Sequence, residues 1–169
     1  MAEIILAQAT GGATLNGLGD YGGNEYRVRQ SFTLTSPATI TKATVQFAAN
    51  YGSPAGQVTL RIETDNAGQA SGTLAHADAT LAFTPTPSAN NTIDFTDFPL
   101  TPGTYWLVLN CANQSTNNMW QILTKDPGNY SGGNWANTTD GAWLSFATQD
   151  MNFALYGILP ETPGIINFI

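Results

Sequence analysis

The sequence predicts an all-β protein, a jelly-roll-like antiparallel β-sandwich of about eight to nine strands. Three observations carry that prediction: short segments alternate apolar and polar residues, turn-forming clusters separate them, and no segment sustains a helical 3.6-residue apolar period. In chain order, residues 1–25 form an N-terminal segment holding the short apolar run IILA and the glycine-rich GGATLNGLG, which reads as a loop. The sandwich proper is expected over residues 26–158. Its first strand is YRVRQSFTL. In TKATVQF, Ala43, Val45 and Phe47 share one face while Lys42, Thr44 and Gln46 share the other. QVTLRIE repeats the pattern, with Val58, Leu60 and Ile62 inward and Thr59, Arg61 and Glu63 outward. ATLAF, NTIDF, TYWLVLN, MWQIL, AWLSFA and MNFALYG complete the set. TYWLVLN is apolar on both faces, as expected of a central strand covered on each side.

The connections NYGSPAGQ, DNAGQASG, TPTPSANN and KDPGNYSGGNWANTTDG are dense in residues that supply a positive or fixed φ or local backbone hydrogen bonds. The last of these, residues 125–141, is expected to be a surface loop, the kind of place where sandwiches bind ligands. After the final strand, residues 159–169 place Ile165, Ile166, Phe168 and Ile169 beyond two prolines. An apolar tail of this kind either packs back on its own sandwich or docks on a neighbouring chain, and in both cases it is a contact element.

Composition narrows the function classes. Five basic residues against twelve acidic ones leave a formal charge of −7, which opposes binding to a phosphate backbone, so nucleic acid is not an expected partner. No apolar stretch is long enough to insert in a membrane, and no signal peptide is visible. Fifteen Asn and only two Lys point to a surface of amides and hydroxyls, which suits extracellular or assembled material such as a virion. The single cysteine, Cys111, reads as a small buried side chain.

Chemistry-bearing constellations are sparse. With His76 as the only histidine, multi-histidine zinc catalysis is excluded, and no nucleophile elbow is present. The acids pair only loosely in sequence, as Glu63 with Asp65, Asp94 with Asp97, and Asp140 with Asp150, so no enzyme is expected. No cofactor is called for; calcium is the one cation with a candidate place, at Asp65, Asn66 and Asp140, whose alternative role is to cap their own turns. Tyr21, Tyr130 and Trp135 sit among Gly, Ser and Asn and are candidates for an exposed platform that stacks on a sugar ring, or for staples that hold their loops to the sandwich.

Several of these pieces together resemble the choice-of-anchor R type of β-sandwich domain found in bacterial surface and phage-associated proteins. They are QSFTLTSPATITKATVQF, GQVTLRIETDNAGQASGTL, LTPGTYWLVLN, and a late Gly and Trp segment before DMNFALYG. Thr104, Tyr105 and Trp106 match that pattern's central strand, and Asp65, Gly68 and Gly72 approximate its turn, with the resemblance spanning about residues 30–157. The family usually supplies one module of a larger protein, whereas this chain reads as a module that stands alone and finds its context by assembly. The expected function is a non-enzymatic structural or surface component of a larger assembly, such as a phage capsid-decoration or tail protein, oligomeric or bound to other chains. The alternative is a carbohydrate-binding or adhesion module.

Overall fold

The alternation of residues 41–47 and 57–63 separates the inside of a sandwich from its outside: Ala43, Val45, Phe47, Val58, Leu60 and Ile62 are all fully buried. A computed structural model describes residues 2–21, 24–111, 118–139, 142–146 and 148–161. Among these residues the chain forms β1 (Ile4–Ala9), β2 (Thr14–Tyr21), β3 (Asn24–Leu34), β4 (Ala38–Gln46), β5 (Val58–Asp65), β6 (Ala70–Leu74) and β7 (Thr80–Phe83). The second half adds β8 (Asn90–Leu100), β9 (Gly103–Asn110), β10 (Trp120–Lys125), β11 (Trp135–Thr139), β12 (Ala142–Phe146), β13 (Asp150–Met151) and β14 (Phe153–Ile158). The nine segments expected from alternation are all strands. Five more, β1, β2, β6, β11 and β13, raise the number above the expected eight or nine.

Two antiparallel sheets pack on each other. One has the order β1-β14-β4-β8; the other runs β13-β10-β2-β3-β9-β5-β6, with β7 also on β5, and with β11 on β3 carrying β12. Central β9 pairs with β3 on one side and β5 on the other, and both faces of TYWLVLN are covered, the inner by the core and the outer in part by Arg29 over the Trp106 ring. Tyr105, Leu107 and Leu109 enter the core, whereas Trp106 and Val108 lie on the opposite face and are buried as well. Isolated bridges from Phe47 to Ile122 and from Tyr51 to Met119 stitch the two sheets together along one side.

Two sequence expectations are corrected by this pairing. GGATLNGLG is not a loop over its length, because Thr14–Tyr21 is β2, held between β10 and the start of β3. Its glycines lower intrinsic strand propensity, yet a Cβ on Gly17 would sit 2.6 Å from the Met119 sulfur, so a close neighbour occupies that space. Residues 4–21 contribute β1 to the smaller sheet and β2 to the larger one. Likewise the 125–141 stretch is a loop only as far as Asn134. Trp135–Thr139 is a strand in full register with residues 26–30 of β3.

Candidate functional site

The first and last strands meet on one edge. Among the described residues β1 is the outermost strand of its sheet and pairs only with β14, from which the chain continues through Leu159 and Pro160. A register shift between Ile5 and Ala7 makes Leu6 an extra residue; beyond it Ala7 and Ala9 face the core while Ile4 and Ile5 stay 42% and 47% exposed. Leu159, 40% exposed, joins two adjacent clefts, the first of mixed lining that includes Thr33, Thr35 and Ser36 and the second mainly apolar. One, of about 190 Å³, is bordered by Ile4, Ile5, Leu6 and Leu34; the other, of about 300 Å³, by Pro37, Pro99, Leu100, Ile158 and Pro160.

The opposite edge of the sheet differs in kind. β8 carries exposed Asp94, Asp97 and Pro99, the charges and proline by which open strands are protected from pairing with other chains. IILAQA carries no charge. Ahead of it, the Glu3 carboxylate accepts the Thr41 hydroxyl and pairs with the Lys42 ammonium, which in turn lies 4.9 Å from the centre of the Tyr156 ring. Those contacts pin the start of β1 and hold the Glu3 carboxyl below its ordinary value, chiefly through the Lys42 hydrogen bond. The expected contact residues Ile165, Ile166, Phe168 and Ile169 lie outside the described residues.

The three candidate aromatics separate. Trp135 is fully buried, packed at 6.1 Å from Phe146 between β3 and β12, and its indole N–H has no hydrogen-bond partner among the described residues. It is therefore a core residue and not an exposed platform; the Gly, Ser and Asn around it concealed a strand. Tyr130 is half-buried, edge-on to Phe153 at 5.5 Å, with its hydroxyl accepting the Thr33 amide at 3.3 Å. Burial foremost raises its pKa. It staples its loop while still lining a cleft of about 380 Å³ with Pro127, Ser131, Thr148 and Asp150. Tyr21 closes β2 opposite Asn24, and its side chain lies outside the described ones.

Two of the three cation candidates, Asp65 and Asn66, make hydrogen bonds within their own turn. Asp65 accepts the Trp106 indole N–H at 2.7 Å on one oxygen and the Gly68 amide at 3.0 Å on the other. Asn66 exchanges backbone hydrogen bonds with Gln69 across a tight turn whose central residues, Ala67 and Gly68, both have positive φ. Asp140 lies outside the described residues. No group of three or more His, Cys, Asp or Glu side chains among the described residues is placed to hold a metal ion. His76 is partly exposed and stacks in parallel on Phe98 at 5.4 Å.

Sequence reading passed over a cluster of arginines. Arg27, Arg29 and Arg61 are three of the five basic residues, and all project from the outer face of the larger sheet. Arg29 is fully buried, lies 4.5 Å from the centre of the Trp106 ring, and donates to the Gln69 side-chain carbonyl. Desolvation lowers its pKa to about 10, opposed by Glu63 and Asp65, so it remains charged at neutral pH. Glu63 accepts Arg61 Nε at 2.7 Å and the Gly72 amide at 2.8 Å. Together these contacts clamp the β5–β6 hairpin over β9. The visible signal was the period-two spacing of Arg27 and Arg29 in YRVRQ, in step with Arg61 and Glu63 across β9.

No family model matches the chain, and no curated protein matches it in sequence. The fold is a generic antiparallel β-sandwich, and the likeness to the choice-of-anchor R pattern rests on its quoted residues alone. Among the described residues no helix is long and apolar enough to cross a membrane.

Proposed function

We propose that the chain is a non-enzymatic structural component of a larger surface assembly, of the kind that decorates a phage capsid or builds part of a tail, and that it joins its neighbours by strand addition at the edge of β1. The observation that carries this reading is the asymmetry of the smaller sheet: β8 is guarded by Asp94, Asp97 and Pro99, whereas β1 is an uncharged edge with Ile4 and Ile5 exposed beside Leu159. The occupant is the 165–169 segment of a neighbouring copy, which brings Ile165, Ile166, Phe168 and Ile169 to a surface that leaves apolar area wet. Covering the exposed parts of Ile4, Ile5 and Leu159 contributes roughly 2–4 kcal/mol, to which main-chain hydrogen bonds along β1 and the tail's own side chains add. Strand order supports a jelly roll as the underlying block. β1-β14-β4-β8 faces β3-β9-β5-β7, an eight-stranded arrangement with two Greek keys, and the remaining strands decorate it.

Light scattering of the full chain beside one ending at Pro160 tests the proposal. The full chain is expected to be oligomeric and the shortened one a folded monomer with the same β-sheet circular dichroism. Ile5→Lys in the full chain should dissociate the oligomer in the same way. A full chain that stays monomeric at high concentration counts against self-assembly through this edge.

A further inference from the structure

Asp150 is a buried carboxylate that strand addition does not use. It is 2% exposed and accepts two hydrogen bonds, from Gln30 Nε2 at 3.2 Å on Oδ1 and from the Tyr130 amide at 2.7 Å on Oδ2. None of the ion pairs among the described residues includes it. A carboxylate has roughly four lone-pair positions, so about half of its accepting capacity is unused in a place where water is largely excluded. Asp150 lines a cleft of about 380 Å³ together with the loop at residues 127–131 and Thr148.

The cleft is built in advance of any ligand. Asn129 exchanges two hydrogen bonds with the backbone of Thr10, the Tyr130 hydroxyl accepts the Thr33 amide, Thr33 Oγ1 donates to the Gly132 carbonyl, and Ser31 clasps Asn134. Gly128 packs against one oxygen of the acid, where a Cβ would fall 2.3 Å from Asp150 Oδ2; a side chain there would displace the loop from the acid it is folded against. A polar loop anchored this often loses little further entropy when it binds.

The lining specifies the chemistry of an occupant. Tyr130 and Pro127 offer apolar ring surface, Ser131 and Thr148 offer hydroxyls, and Asp150 offers strong acceptors, while no cationic side chain lines the cleft to receive an anion. A metal ion such as calcium needs six to eight oxygen ligands, and only one carboxylate is present. A pyranose unites a C–H face with a rim of hydroxyl donors, which matches both halves of the lining. We propose that this cleft binds one neutral sugar unit, with hydroxyls donating to Asp150 and a C–H face resting on Tyr130. The site shares no residue with the β1 edge, so it stands or falls independently of assembly.

Amide NMR spectra of the full chain, titrated separately with the methyl glycosides of glucose, galactose, mannose and N-acetylglucosamine, test the proposal. Calcium chloride and methylammonium chloride serve as the cation controls. At least one glycoside is expected to shift the amides of Tyr130, Ser131, Thr148 and Asp150 saturably, with a Kd of about 0.1–10 mM. Asp150→Asn should weaken it about tenfold or more, as loss of a charge-assisted hydrogen bond does. Should that variant fail to fold, the exposed Ser131→Ala and Thr148→Ala each retain the fold and should each weaken binding. Absence of saturable shifts with all four glycosides, shifts centred elsewhere, or a response to calcium or methylammonium alone would overturn it.

Discussion

Replacing Trp135 by alanine separates packing from recognition. An exposed sugar platform would lose its ligand and keep its stability, whereas the structure places the whole indole in the core against Phe146. A tryptophan buries about 150–250 Å², which at about 25 cal/mol per Å² corresponds to roughly 4–6 kcal/mol as an upper bound. Removing an indole N–H that lacks a partner among the described residues returns about 1 kcal/mol. The expected loss is therefore about 3–5 kcal/mol, in line with large-to-small changes in other cores. For a chain of this size that lowers Tm by roughly 6–20 °C. Trp135→Phe, which keeps most of the ring area and discards the unpaired N–H, should lose much less. Urea unfolding followed by far-ultraviolet circular dichroism measures both without relying on the fluorophore being removed. A Trp135→Ala loss below about 1 kcal/mol, with the m-value unchanged, would refute the burial on which this reasoning depends.

Two other expectations follow from the charged contacts. Arg29→Ala removes the cation from a buried cluster and leaves Glu63 and Asp65 without it; we expect a loss of about 3–5 kcal/mol in chemical denaturation, and a value near zero would show that Arg29 does not clamp the hairpin. Glu3, whose native pKa is lowered by Lys42, contributes stability above its ordinary value of 4.5 and loses it as pH falls through the lower native value. Carboxyl NMR titration should place the Glu3 midpoint below 4.5 and return it upward in Lys42→Met, and a midpoint at or above 4.5 in the parent would contradict the contact.

Period-two alternation by itself determined the all-β class, the inward faces of β4 and β5, and the central position of β9. Those signals are local: a strand with one wet face must alternate, and a strand covered on both faces must not. Turn chemistry was equally legible at Asp65 and Asn66, where side chain and backbone interact within a few residues. Only the tertiary structure decided the rest. β2 and β11 have loop-like composition and become strands because β10 and β3 supply their hydrogen-bond partners, and no local rule reports a partner roughly a hundred residues away. The same long-range pairing carried Trp135 from an expected surface into the core and set Asp150 behind Tyr130. It also left β1 at the edge of its sheet, since edge position belongs to the order of strands in a sheet and not to any one strand's residues.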